Sequence, residues 1–190
     1  MGNLTYNERL EDPRYEIIEG EEIMQAQPAI NHLQITTNLL YIIRSYLRGK
    51  RCKVYAEPDV YFDADNRYIP DLVIVCDQEK IKAAHIEGAP DLVVEILSPS
   101  TGKRDMGIKK DVYEKFGVRE YWTIDSKSRS IYAYHLKDGK FILDDRYTVL
   151  EDWEEEALND KEKAEHRLAL KVSLYDDLEI DVKEIFEDVK

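Results

Sequence analysis

The sequence predicts an α/β (α+β) fold, in which helices flank a mixed central β-sheet and β-hairpins lie near both ends of the chain. This prediction rests on two apolar runs that each begin with Pro-Asp and on a strand–helix–strand segment over 90–124. The loop at 63–66 is too short for a crossover, so the strands that it joins should be antiparallel. The helix within 90–124 provides a right-handed crossover and allows a parallel pair, which makes the sheet mixed.

The first elements of the chain are a hairpin and a long helix. The segment 15–24 has apolar residues on both sides of Gly20, which suits a turn, and this predicts a hairpin. From His32 to Leu47 the apolar residues recur at helical spacing, and this predicts an amphipathic helix. Asn31, directly before it, is a residue type that caps the free N–H groups of a first turn.

Four apolar runs predict the strands of the central sheet, with a helix among them. The predicted strands are 53–62 with a bend at Pro58, 68–76, 90–97 and 120–125. A loop over 98–102 leads to a helix over 104–116, which should end at Gly117 because glycine suits the left-handed end of a helix.

The last part of the chain begins with a second hairpin. Strands at 130–136 and 141–150 flank a turn at 137–140, which contains Asp-Gly. The strongly charged segment 151–167 is predicted to be a surface loop or helix. A strand within 168–175 and a short helix at 182–186 should follow.

Composition indicates a globular chain that needs neither disulfides nor a structural metal to fold. The 190 residues suit one domain, which we place at 15–190 after a flexible N-terminus at 1–14. No apolar run is long enough for a membrane helix and no signal peptide is evident, so we expect a cytoplasmic protein without a membrane partner. Cys52 and Cys76 match no zinc spacing. They stand near opposite ends of predicted antiparallel strands, where they could be neighbours, and we expect them to be buried thiols.

The formal net charge is −13. Long-range electrostatics therefore oppose association with DNA, RNA or anionic membranes. A local basic patch, or a divalent metal in an acidic site, can make the electrostatic potential positive at the binding site itself. The charge counts against a nucleic-acid-binding function but leaves that class open.

Glu95 is unusual because aliphatic residues flank it inside a predicted strand. A carboxylate buried there is costly unless it has a cation, a metal or a proton. Asp71 opens the neighbouring strand, so both acids can converge on one Mg²⁺ or Mn²⁺. The next helix offers Lys109 and Lys110, and a lysine there can orient an attacking water. We interpret Asp91, at the start of the Glu95 strand, as structural.

Two motifs in this region resemble a known family. The run 90–101 reads PDLVVEILSPST, and it is similar to the Uma-type restriction endonucleases, long catalogued as a domain of unknown function. The spacing of Asp105, Lys109 and Tyr113, followed by GVREYW at 117–122, resembles the same family. Pro-Asp, a later glutamate and a lysine together look like the PD-(D/E)XK nuclease superfamily.

The resemblance covers about residues 15–150, and it implies a restriction-endonuclease-like fold and a Mg²⁺-dependent or Mn²⁺-dependent endonuclease acting on DNA. In that family the lysine lies on the helix, where Lys109 matches, while Leu97 occupies the strand position of the superfamily's lysine. The implied site residues are Asp71, Glu95 and the backbone carbonyl of Ile96 as metal ligands, with Lys109 assisting the water nucleophile. The accessory candidates are His32 and Glu57 around the metal, Lys110 as the competing lysine, and Tyr113.

Two other classes of function also fit these residues. A catalytically silent nuclease-like domain, serving as a binding or regulatory module, would suit the acidic charge and the displaced lysine. A metal-dependent phosphohydrolase of small nucleotides would need little basic surface. For an endonuclease that cuts both strands of DNA, we expect a homodimer with two sites related by a two-fold axis, and the hairpin over 130–150 is a candidate interface.

Overall fold

The structure is a computed structural model that describes residues 14–98 and 105–190. Its strands are, in chain order, β1 (Tyr15–Ile18), β2 (Glu21–Met24), β3 (Lys53–Ala56), β4 (Val60–Tyr61), β5 (Arg67–Tyr68), β6 (Leu72–Val75), β7 (Ile86–Glu87), β8 (Leu92–Leu97), β9 (Glu120–Asp125), β10 (Ser130–Lys137), β11 (Lys140–Thr148), β12 (Ala169–Lys171) and β13 (Glu179–Asp181). The predicted flexible terminus and the predicted loop at 98–102 lie outside the described residues, except for Arg14 and Ser98.

The helices are α1 (Ile30–Tyr46), α2 (Lys110–Phe116), α3 (Asp152–Ala157), α4 (Asp160–Glu165) and α5 (Val182–Ile185). A 3-10 turn covers Gln78–Lys80, and a π-helical turn over Asp105–Lys109 leads directly into α2. The predicted C-terminal end of α2 is confirmed, because Gly117 follows it with φ of 82°. Within the ranges that the structure describes, no helix is both long and apolar enough to cross a membrane.

Six strands form the central sheet in the order β11-β10-β9-β8-β6-β3. β8 and β9 are parallel, and every other neighbouring pair in this sheet is antiparallel. The mixed α/β prediction is therefore confirmed, including the antiparallel first pair and the parallel pair across the helical segment. Both predicted hairpins, β1–β2 and β10–β11, are also present.

Each face of the central sheet has its own hydrophobic core. On one face α1 packs through Ile35, Leu39 and Ile43, which lie on one side of the helix because they are four residues apart. The C-terminal segment, with β12, β13 and α5, completes this core. On the other face lie α2 and a second sheet of five short strands in the order β2-β1-β5-β4-β7.

Two segments that were each predicted as one strand are divided between the two sheets. The prediction of one bent strand over 53–62 is wrong. Glu57 has a φ of 47° and Pro58 follows it, so the chain turns there and β3 and β4 enter different sheets. The prediction of one strand over 68–76 is also wrong, again because of a proline. Pro70 has no N–H for a ladder, and β5 ends before it while β6 begins after it.

Asn31 lies inside α1 and is not its N-cap, since the helix follows Ala29. The Asn31 side chain instead binds the backbone of Lys190. Its Oδ1 accepts from Lys190 N at 3.2 Å, and its Nδ2 donates to the Lys190 carbonyl oxygen. The prediction is wrong because this amide secures the end of the chain, and not the free N–H groups of the helix.

Cys52 and Cys76 form a disulfide, so the prediction of buried thiols is wrong. The antiparallel register pairs Lys53 with Val75, and Cys52 and Cys76 come directly before β3 and directly after β6. Their Cα atoms are 3.9 Å apart. The antiparallel pairing of β3 and β6 makes the two residues neighbours, as their positions at the strand ends allowed.

Candidate active site

Asp71 and Glu95 lie beside each other on neighbouring antiparallel strands. The register of β6 and β8 pairs Leu72 with Val94, and the two acids are the next residues along these strands. The Asp71 carboxylate reaches across the pair, because its Oδ2 accepts from the backbone N–H of Ile96 at 2.5 Å. Glu95 alternates with Val94 and Ile96, which belong to the α1 core, so it faces the α2 side. The structure thus brings the two predicted acids together.

Asp71 is held by α1 as well as by the sheet. Its Oδ1 lies 3.0 Å from Nε2 of His32, and both side chains are mostly buried. Its carbonyl oxygen accepts from the N–H of Glu57 at 3.1 Å. The structure therefore places His32 against the acid pair, whereas the Glu57 carboxylate turns toward Arg14, whose Nη1 lies 2.5 Å from Glu57 Oε2.

Glu95 is the centre of a buried polar cluster beneath α2 and is only 3% exposed. Its Oε1 accepts from the Tyr113 hydroxyl at 2.5 Å and from Nζ of Lys109 at 3.2 Å. Burial, and then the Glu95 charge, raise the pKa of Tyr113 well above its ordinary value, so the hydroxyl stays protonated and donates. Lys109 and Tyr113 are four residues apart, which lets both reach one carboxylate.

Glu16 belongs to the same cluster, although no sequence motif singled it out. It lies on β1 and is 1% exposed, and its Oε1 is 2.8 Å from Nζ of Lys109. The same oxygen accepts from the N–H of Ile69 at 2.9 Å, which ties the first hairpin to the segment before Asp71. The available signal was its position two residues before Ile18, on the buried face of the strand.

Lys110, the competing candidate for the catalytic lysine, lies over a different part of the sheet. Its Nζ is 3.7 Å from the ring centroid of Tyr134 on β10, and burial lowers its pKa. Of the two candidates, the structure places Lys109 at the acid pair.

The oxygen atoms of this site suit a hard divalent cation. Asp71 and Glu95 supply carboxylates, and the Ile96 carbonyl points toward β6 as its N–H does, because both groups of such a residue face one antiparallel neighbour. No three His, Cys, Asp or Glu side chains are arranged to hold a metal in the described part of the chain. A cation here would therefore need the carbonyl and water as further ligands, and it would replace part of the contacts that His32 and Lys109 now make.

The fold is that of a nuclease-like α/β protein. A crystal structure from Anabaena variabilis, of "a putative nuclease belonging to DUF820", matches with a TM-score of 0.70. The match covers 97% of this chain and 98% of that one at 20% identity, so it concerns the fold.

The family model Uma2, described as "Putative restriction endonuclease", matches residues 4–171. The chain belongs to this family, which confirms the resemblance seen in its motifs. An uncharacterised protein of Synechocystis is 29% identical over 145 residues, which cover 74% of this chain and 75% of the relative. Family and structural neighbour both support a protein of the nuclease class.

Proposed function

We propose that this protein is a Mg²⁺-dependent endonuclease that hydrolyses phosphodiester bonds of DNA, with Mn²⁺ as an alternative metal. One observation carries the proposal. Asp71 and Glu95 lie at adjacent positions of two neighbouring core strands, and Lys109 binds the glutamate, in a chain of a restriction endonuclease family. This combination of two acids and a lysine supports phosphoryl-transfer chemistry more strongly than any of the three residues alone.

In this proposal Asp71, Glu95 and the carbonyl of Ile96 would hold the metal. A divalent cation bound there would polarise the scissile phosphate and lower the pKa of a water. Lys109 orients the attacking water and stabilises the charge that develops on the phosphate oxygens. The donor set fits this role because hard cations prefer carboxylate and carbonyl oxygens.

Three further residues position these groups. Tyr113 fixes the Glu95 carboxylate through its hydrogen bond, and His32 fixes Asp71. Glu16 contacts the ammonium group of Lys109 at 2.8 Å. Such outer contacts orient ligands and commonly change metal affinity or activity by about 10-fold to 100-fold when removed.

A catalytically silent nuclease-like module is the second candidate, because the acid pair is enclosed in this structure. Glu95 and Lys109 are each 3% exposed, and the formal net charge is −13. An active nuclease must open this site to admit a phosphodiester, whereas a silent module has no such need. The silent module predicts that no metal binds between Asp71 and Glu95.

Cleavage of plasmid, single-stranded and branched DNA in Mg²⁺, Mn²⁺ or EDTA tests the proposal. We expect metal-dependent cleavage by the wild type and a loss of about 100-fold or more in Glu95→Gln. The glutamine side chain can still accept the hydrogen bond from Tyr113, so the circular dichroism spectrum of this variant should match that of the wild type. Wild-type protein that cuts no DNA in either metal would support the silent module. Turnover of small nucleotides without DNA cleavage would support the phosphohydrolase.

A further inference from the structure

The row of paired residues that contains Glu95 continues across the central sheet. Glu95 pairs with Thr123 on β9, Thr123 with Tyr132 on β10, and Tyr132 with Arg146 on β11. Paired residues of neighbouring strands lie on the same face, so this row extends outward from the acid pair. Strands are about 4.8 Å apart, which puts Tyr132 about 10 Å and Arg146 about 14 Å from Glu95.

Thr123 carries a buried hydroxyl that has no partner among the described residues. The residue is 1% exposed, and its Oγ1 makes no hydrogen bond to any group of 14–98 or 105–190. An unpaired buried hydroxyl destabilises a fold, so a native one calls for an explanation. A ligand oxygen bound beside Glu95 would satisfy this hydroxyl.

Tyr132 and Arg146 form an aromatic and cationic pair at the outer part of the row. The guanidinium carbon of Arg146 lies 5.4 Å from the ring centroid of Tyr132. Arg146 is exposed and contacts Oγ of Ser130 at 3.4 Å, and within the described residues its guanidinium has no carboxylate partner. A cation beside an aromatic ring is the combination by which proteins bind single strands, since bases stack and phosphates meet positive charge.

A second cation–aromatic pair lies on the same face, two residues further along β10. There Nζ of Lys110 is 3.7 Å from the ring centroid of Tyr134. The nearby acid Glu114 is already paired with Lys140 at 2.6 Å. Lys110 and Arg146 thus place two cations on this face of a chain whose net charge is −13. The acids directly before Arg146 have other partners: Asp144 lies 3.7 Å from His135 and Asp145 lies 3.2 Å from Arg167. A nuclease with so acidic a composition needs such a local basic surface.

We propose that Thr123, Tyr132 and Arg146 form a subsite for the DNA strand on one side of the scissile phosphate, and that the strand is unpaired there. An unpaired base stacks on Tyr132 and Arg146, the guanidinium meets a phosphate, and the Thr123 hydroxyl donates to a phosphate oxygen near the cleaved bond. This inference rests on the proposed nuclease function and narrows its substrate to DNA with a single-stranded segment at the cleavage point. A base paired in a duplex could not reach the ring.

Fluorescence anisotropy in EDTA, with labelled single-stranded, flapped and fully paired oligonucleotides, measures this subsite without cleavage. We expect the wild type to bind flapped and single-stranded DNA about tenfold more tightly than duplex, and Tyr132→Leu and Arg146→Gln each to weaken that binding about tenfold. Arg146→Gln should also reduce the salt slope of binding by about 1. The matched control is Lys50→Gln, which removes a cation 3.3 Å from the ring of Tyr46 on α1, and it should bind as the wild type does.

Thr123→Val provides a readout that a purely structural role would not give. Removing the unpaired hydroxyl should raise the melting temperature, yet cleavage of flapped DNA in Mg²⁺ should slow. A preference for duplex, variants that bind like the Lys50→Gln control, or no binding of any DNA would overturn the subsite. If the wild type still cleaves DNA in such a case, the nuclease function stands. If the wild type cleaves nothing but binds single strands through Tyr132 and Arg146, the subsite stands and the nuclease function fails.

Discussion

At the scale of single residues, the account depends most on Lys109. Its ammonium lies 2.8 Å from Glu16 and 3.2 Å from Glu95, and all three side chains are buried. Removing the lysine leaves two buried carboxylates without this partner, which is more costly than losing a surface ion pair. The lysine therefore has both a proposed catalytic role and a structural one, and a test must separate them.

We predict that Lys109→Met abolishes metal-dependent cleavage and lowers the free energy of unfolding by about 3 kcal/mol. Lys110→Met, a matched change at the next position, should keep the stability. It removes only one cation near the proposed DNA surface, so cleavage at saturating DNA should persist. Urea unfolding and plasmid cleavage measure the two effects. In the double variant Glu16→Gln/Lys109→Met, part of the stability should return, because one of the two buried carboxylates is neutral, while activity stays lost. An active Lys109→Met together with an inactive Lys110→Met would reverse the assignment of the lysine.

At the scale of elements, the disulfide joins β3 and β6 at the ends away from Asp71. It closes a loop over a sequence separation of 24 residues. We predict that reduction lowers the free energy of unfolding by about 3 kcal/mol, because a loop of this length regains entropy in the unfolded chain. Urea unfolding with and without reductant measures this. The Cys52→Ala/Cys76→Ala variant is the control and should not respond to reductant; a wild type that also fails to respond would contradict the prediction.

Glu120, a fully buried acid on β9, provides a second contact between elements and anchors the C-terminal segment to this strand. Its Oε1 accepts from Nε1 of Trp122 at 2.7 Å, and its Oε2 accepts from the N–H and the hydroxyl of Ser173 at 2.9 and 2.5 Å. Nε2 of His135 lies 3.5 Å from Oε1. The contact with Glu120 raises the pKa of His135 above its ordinary value, against the opposing effect of burial.

This raised pKa predicts a pH-dependent stability. A histidine whose pKa is higher in the folded state stabilises the protein fully below its unfolded pKa of about 6.5, and the contribution disappears as pH rises through the folded pKa. We expect the stability difference between wild type and His135→Gln to be largest near about pH 5.5 and to shrink above the folded pKa. Urea unfolding across this range measures it. A difference that does not change with pH would contradict the prediction.

Sequence alone is enough for the elements whose signal is local. β9 falls at 120–125 as predicted, because its apolar run is bounded by polar residues on both sides. The division of 53–62 between two sheets was not predictable, since sheet membership depends on pairing with distant strands. The disulfide is not predicted for a different reason: the two cysteines could be placed as neighbours, but a chain expected to be cytosolic is expected to keep its thiols reduced. Within the candidate site, Glu95 stood out in an apolar run, whereas Glu16 is buried only because the first hairpin docks against Lys109.

At the scale of the whole molecule, the candidate site lies where the two sheets meet. The segment between β5, in the small sheet, and β6, in the central sheet, carries Asp71. Glu16 comes from the small sheet and Glu95 from the central one, so docking of the two sheets assembles the cluster. A homodimer stays a prediction, and Ile142 and Leu143 on the predicted interface hairpin are each 48% exposed.

Calorimetric titration of Mn²⁺ and Mg²⁺ tests the central claim most directly, because it examines the metal site without assuming a substrate. We predict that the wild type binds the metal and that Asp71→Asn and Glu95→Gln each abolish binding while remaining folded. A wild type that binds neither metal, with both variants as stable as the wild type or more so, would contradict the claim and favour a silent nuclease-like module.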